Sequence, residues 1–211
     1  MGIYKTGIWK HNNFNEFVTM EDGSVWMKVF YHNNQGGTVL FSTIDEIRNV
    51  NVENKYSVLY MLDNVNFKGS DGKYEFLIRY PEKTTEYNRW KQTNNPCNEY
   101  ITPTSDGAAY AAGYEAIHID STDNYWGGLT RQSEGTNLVS TYLSGSVGHS
   151  NWFYAIGAIA KHDVGIPSST RWGNGIATVV ELFVRIDNTP QFSTKSCILN
   201  NQIMSTEMIE I

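Results

Sequence analysis

Two stretches of the chain leave little choice of backbone. In Tyr74-Glu75-Phe76-Leu77-Ile78-Arg79-Tyr80 the large side chains Tyr74, Phe76, Ile78 and Tyr80 recur at every second position, and Pro81 closes the run. Ile176 to Ile186 (IATVVELFVRI) is β-branched and apolar along most of its length. A period of two sends alternate side chains to opposite faces of an extended strand, whereas a helix would spread the same residues around its circumference. Both stretches are expected as strands with a face on a core.

Other segments follow the same pattern. Ser24 to His32 (SVWMKVFYH) reads as a strand, and Asn33-Asn34-Gln35-Gly36-Gly37 supplies residues that tolerate positive φ, so Thr38 to Phe41 is expected to return as the second arm of a hairpin. Residues 43 to 66 also fit a helical spacing through Ile44, Ile47, Leu59 and Tyr60, which leaves room for one short helix. From 84 to 113 the chain is polar and turn-rich, with Asn94-Asn95-Pro96 and Thr102-Pro103 working against helix and a short strand expected at Tyr87 to Lys91. Tyr114 to Ile119 alternates, Tyr125 to Leu129 reads as a further strand, and Asn151 to Ile159 is apolar on both faces, as a central strand is. No repeat of 20 to 50 residues appears, which removes propellers and solenoids. The expectation is an all-β chain: an antiparallel, jelly-roll-like β-sandwich over 25–187, an N-terminal arm or edge strand at 1–24, and a C-terminal arm or last strand at 188–211.

A chain of 211 residues is within the size of one β domain. Its aromatic content of 13% and charged content of 18%, against roughly 25% in an ordinary domain, suit strands and uncharged polar surfaces. The net charge of −6 argues against a nucleic-acid partner or an anionic membrane surface, both of which call for clustered Lys and Arg. The N-terminal residues show no signal-peptide h-region, and no window reads as a transmembrane helix, so no membrane insertion is expected. Cys97 and Cys197 lie far apart and outside any metal-ligand spacing, and are expected as free thiols.

Six tryptophans are the first candidates for chemistry, because an indole face stacks on sugar C–H bonds while its N–H donates to a hydroxyl. Trp90 and Trp126 stand beside Asn88, Arg89, Gln92, Tyr125 and Arg131, a mixture of flat apolar surface and planar hydrogen-bonding groups suited to polyhydroxylated ligands. Trp172 lies in a Gly-rich loop, and Trp26 and Trp152 fall in core strands. The candidate glycan-binding residues are therefore Trp90, Trp126, Tyr125, Trp172, Arg89 and Arg131, each weighed against plain core packing. Asp120, Asp123 and Asn124 could offer oxygens to a structural calcium, but a full site needs six to eight, and Asx turns explain the cluster more simply. His11, His32, His118, His149 and His162 form no ligand spacing, and Gly148-His149-Ser150 lacks the elbow of a serine nucleophile. Glu75, Glu115 and Glu181 fall in expected strands, so a carboxylate pair on one sheet face is geometrically open. The sequence does not otherwise meet that requirement, and no catalytic residue is assigned.

In order, YEFLIRYPE (74–82), YNRWKQTNNP (87–96), GYEAIHI (113–119), YWGGL (125–129), GSVGHSNWFYAIGA (145–158) and VVELFVRID (179–187) resemble a domain at the ends of tail or head fibres and related appendage proteins of phages of gut bacteria. The same domain occurs in surface proteins of gut microbes. The resemblance implies a β-sandwich of jelly-roll or laminin-G-like form that recognises a host cell-surface polysaccharide, on the virion surface and as a homotrimer; with no catalytic residue assigned, binding without catalysis is expected. Residues 1–24 and those beyond Asp187 lie outside the shared blocks, and the chain lacks the long shaft of a tail fibre. That departure leaves a second expectation open: a structural accessory protein of capsid, head fibre or tail, contacting other virion proteins through its terminal arms without binding a glycan.

Overall fold

The computed structural model describes residues 17–64, 67–82, 87–98, 110–119, 126–131, 141–145, 155–158, 166–167 and 176–187. In chain order the first strands are β1 (Phe17–Thr19), β2 (Val25–Asn33), β3 (Val50–Val52), β4 (Lys55–Ser57), β5 (Tyr74–Arg79), β6 (Tyr87–Gln92) and β7 (Glu115–His118). The later ones are β8 (Thr130–Arg131), β9 (Thr141–Ser144), β10 (Ile156–Ala158), β11 (Ile166–Pro167), β12 (Ile176–Ala177) and β13 (Val179–Arg185). Among the described residues one α-helix, α1 (Ile44–Arg48), and two 3-10 turns interrupt them. The protein is an all-β sandwich of antiparallel sheets, and no helix of the described residues is long and apolar enough to cross a membrane.

The large sheet runs β3-β4-β2-β13-β5-β6-β7, with β1 pairing Val25 to Met27 at the start of β2. Its centre is the β2–β13 pair, which joins Asn33 to Val179 at one end and Trp26 to Arg185 at the other, with a bulge between Leu182 and Phe183. A smaller sheet, β10-β9-β8, and the ribbon β11-β12 supply the facing layer. One core cluster joins Phe30, Phe76, Ile78, Trp90, Leu182 and Val184 of the large sheet to Leu129, Leu143, Ile156 and Ile166 opposite. At about 25 cal/mol per Å² of apolar surface removed from water, this inner face is the main source of stability.

The hairpin expected at 24–42 does not form. β2 pairs with β13, β4 and β1 instead, and the residues after Gly37 leave the sheet. The Phe41 amide donates to the Ala158 carbonyl at 2.8 Å, and the His32 imidazole Nε2 meets the Val39 carbonyl at 2.7 Å. Burying the Phe41 ring against Phe30, at 5.5 Å between centroids, outweighs a local return strand. In the 43–66 segment a short helix does form: the Thr43 hydroxyl accepts from the Glu46 amide at 3.1 Å, and the Glu46 carboxylate reaches back to the Ser42 amide at 2.7 Å. Ile47 enters the core, and β3, β4 and a 3-10 turn over Leu59–Asp63 follow. The strand expected at Tyr125 to Leu129 begins only at Thr130 among the described residues.

Candidate functional site

Strand alternation loads the outer face of the large sheet with charge. β5 sends Glu75, Leu77 and Arg79 outward, β13 sends Glu181, Phe183 and Arg185, β2 sends Trp26, Lys28 and Tyr31, and β6 sends Tyr87, Arg89 and Lys91. Register then brings opposite charges together. Glu181 lies directly opposite Arg79 and accepts from its Nε at 2.5 Å, while the Lys28 ammonium donates to its other oxygen at 2.6 Å. Glu75 accepts from Arg89 Nε at 2.6 Å and from Arg185 at 3.3 Å. Arg89 continues to Asp22 at 3.2 Å, and Arg185 to Asp187 at 2.9 Å and 3.0 Å.

The cations also roof the aromatic rings of this face. The Arg79 guanidinium lies 5.0 Å from the Phe183 ring centre, Arg89 lies 5.2 Å from that of Trp26, and the Lys28 ammonium lies 5.5 Å from both Phe183 and Tyr31. Beneath them Val18, Trp26, Leu77 and Phe183 form a second, smaller apolar cluster. A notch between Val18, Met20, Trp26, Leu77, Phe183 and Arg79 holds about 190 Å³ of empty space, part of it open to solvent.

Electrostatics fix what these carboxylates can do. Burial pushes the Glu181 carboxyl upward, but Arg79 and Lys28 outweigh it and hold it below the usual carboxylate range. Asp22 is lowered chiefly by the Ser24 hydroxyl, and Arg185 is raised chiefly by its bond to Asp187. Glycoside hydrolysis needs a carboxyl kept protonated near neutral pH. Glu181 is driven the other way, Glu75 has two guanidinium partners, and Glu115 on exposed β7 is bonded to Lys73 at 3.2 Å. The face is a lattice of saturated ion pairs.

Of the sequence-expected glycan residues that are described, Trp90, Trp126, Arg89 and Arg131 do not share one surface. Trp90 is 0% exposed and Trp126 only 7%, and their rings meet edge to face with centroids 4.9 Å apart. The Trp90 N–H donates to Gln92 Oε1 at 2.8 Å, and a Cβ on Gly145 would collide with the Trp126 ring. Both indoles are core, so neither offers a face to a sugar. Arg89 follows the opposite course: as Trp90's neighbour on a strand it points to the other side of the sheet. Arg131 is half-buried in β8, opposite Leu143. Tyr125, Trp172, Asp120, Asp123 and Asn124 lie outside the described residues, as do Trp152, His149 and Cys197. Among the described residues no group of three or more His, Cys, Asp or Glu could hold a metal ion. Cys97 is a buried free thiol that burial pushes up to about 12.

Tyr110 and Tyr114 were not singled out by the sequence. Their rings stack at 5.5 Å between centroids with 14° between planes, and Tyr110 is 58% exposed. The available signal is two tyrosines spaced around Ala111-Ala112-Gly113, where Gly113 takes a φ of 66° and turns the chain between them.

A scan against protein-family models and searches of curated proteins and solved structures find no match to this chain.

Proposed function

We propose that this chain is a recognition domain of a phage appendage, displayed on the virion surface, which binds a host cell-surface polysaccharide without cleaving it. The observation that carries the non-catalytic half is the pairing of each buried outer-face carboxylate, Glu75 and Glu181, with two cations. Such carboxylates tie the cations of this face in place. The glycan half draws on the resemblance, whose blocks YEFLIRYPE, YNRWKQTNNP, GYEAIHI and VVELFVRID contain β5, β6, β7 and β13, four adjacent strands of the large sheet. These blocks belong to the scaffold, and the recognition surface is carried by its turns and loops. A homotrimeric display would add avidity to a modest single-site affinity.

The test is binding of the intact chain to purified surface polysaccharides of gut bacteria. Saturable binding to at least one is expected, and its absence across the panel would remove the glycan reading. Native mass spectrometry of the same sample should give three subunits, and a mass of one subunit refutes the trimer.

A second reading, an accessory virion protein that only contacts its neighbours, has one observation in its favour. All four residues of β7 are exposed, Ile117 among them, at the end of the large sheet. Exposed edge strands pair readily with other chains. Particle stability that depends on Ile117, with no polysaccharide bound, would favour this reading.

A further inference from the structure

Trp90 and Trp126 lie in the core, whereas among the described residues Tyr110 exposes an aromatic ring. We propose that the Tyr110–Tyr114 turn is a stacking platform for the apolar face of an uncharged pyranose, an inference that rests on the glycan reading above. Tyr110 is 58% exposed, ahead of Val52 at 50%, Tyr60 at 47% and Ile117 at 42%, and its ring lies almost parallel to that of Tyr114. One π face is thereby set against its neighbour, while more than half of the residue remains exposed.

The backbone beneath does not yield. The Ala111 amide donates to the Gly127 carbonyl at 2.7 Å, the Thr93 amide to the Ala112 carbonyl at 2.7 Å, and the Tyr114 amide to the Ala111 carbonyl at 3.0 Å. A Cβ on Gly113 would come within 2.1 Å of Thr93 Oγ1, and one on Gly128 within 2.7 Å of the buried Ala111 methyl and 3.4 Å of the Tyr114 ring. The turn therefore packs against the end of β6 and the Gly127-Gly128 segment with no slack. A ligand that meets a ring already in place loses little conformational entropy on binding, which is the physical content of preorganisation.

The chemistry of the turn selects the ligand class. Residues 110–114 are Tyr-Ala-Ala-Gly-Tyr, with no charged group, which favours a neutral sugar over a sialylated or phosphorylated one. Aliphatic C–H bonds of a pyranose suit the electron-rich ring face, and the two phenols at the edge can both donate and accept.

The experiment uses the intact chain on an array of gut-bacterial surface polysaccharides, with free galactose, glucose and N-acetylglucosamine as competitors. Wild type, Tyr110→Ala, Tyr110→Phe and Tyr60→Ala are compared at equal Tm. Tyr110→Ala is expected to weaken binding by about tenfold or more, as loss of an aromatic hot spot does. Tyr110→Phe should stay within about threefold, because it keeps the ring and loses only an exposed hydroxyl's hydrogen bond, and Tyr60→Ala should bind as wild type. Wild-type affinity in Tyr110→Ala overturns the platform while the glycan reading stands, and so does a Tyr110→Phe loss as large as that of alanine. No binding by wild type overturns both.

Discussion

The two faces of the large sheet share every strand and differ in what covers them. On the inner face Phe30, Phe76, Trp90 and Leu182 pack under a second layer built from β8, β9, β10 and the ribbon. On the outer face Trp26, Leu77 and Phe183 are equally buried, yet the groups across them are Arg79, Arg89 and Lys28, held in place by Glu75 and Glu181. One face excludes water with apolar volume and the other with long side chains whose charged ends are tied down. Arg and Lys stems can cover apolar surface in this way because only their ends need a polar partner. The difference teaches that burial on the outer face depends on charge pairing, and that on the inner face it does not.

The sharpest way to break this comparison is to empty the inner face. Phe76→Ala removes a fully buried ring packed on Trp90 and should lower unfolding free energy by about 3–5 kcal/mol in a denaturant titration. Glu181→Ala strips Lys28 and Arg79 of their shared partner and should cost about 3 kcal/mol, as removal of one member of a buried ionic group does.

Acid offers a third comparison, since each face carries a group that responds to it. On the inner side His32 is buried between Phe30 and Phe41, with Lys55 and Glu46 nearby, and burial lowers its pKa to about 4 from 6.5. The unfolded chain therefore takes up this proton first. Stability is full above pH 6.5 and falls as pH drops towards 4, by roughly 3 kcal/mol in total at about 1.4 kcal/mol per pH unit. His32→Gln should flatten that slope. On the outer side Glu181 has a lowered pKa, so its contribution is present above the ordinary glutamate value of 4.5 and is lost only below it. An unfolding midpoint that is flat between pH 6.5 and 5 in the wild type would contradict the placement of His32.

Smaller effects refine the picture. Replacing the outer trio together, Lys28→Met, Arg79→Met and Glu181→Leu, should leave stability within about 1 kcal/mol of wild type, because desolvation of the charges disappears with their attraction. A loss as large as that of Glu181→Ala would mean that the ion pairs themselves stabilise the face. Smallest of all, Ile117→Lys on exposed β7 should change stability by less than about 0.5 kcal/mol.

Much of the sheet was legible from alternation alone. Tyr74, Phe76, Ile78 and Tyr80 all turn inward, and Glu75 and Arg79 turn outward, as a period of two requires. β6 misled for a physical reason. Its inward positions Asn88 and Gln92 are polar, yet Gln92 is buried because it accepts from Trp90 and Leu129 and donates to the Asn94 and Leu129 carbonyls. Buried hydrogen-bonding posts beside Trp90 look in sequence like a wet sugar-binding edge. The Asn-Gly-rich turn after β2 looked like a hairpin because turn chemistry is local, whereas the contacts that won, Phe41 to Ala158 and β2 to β13, join distant segments. Tyr110 and Tyr114 escaped because their stacking depends on how Gly113 turns the chain, which residue spacing does not state.

The central claim is that the protein holds a polysaccharide and leaves it whole. Incubating the intact chain with a host surface polysaccharide, while following bound protein and newly formed reducing ends together, tests it most directly. Saturable binding with a constant number of reducing ends is the predicted result. Reducing ends that accumulate with time, or no binding across the panel, would contradict it.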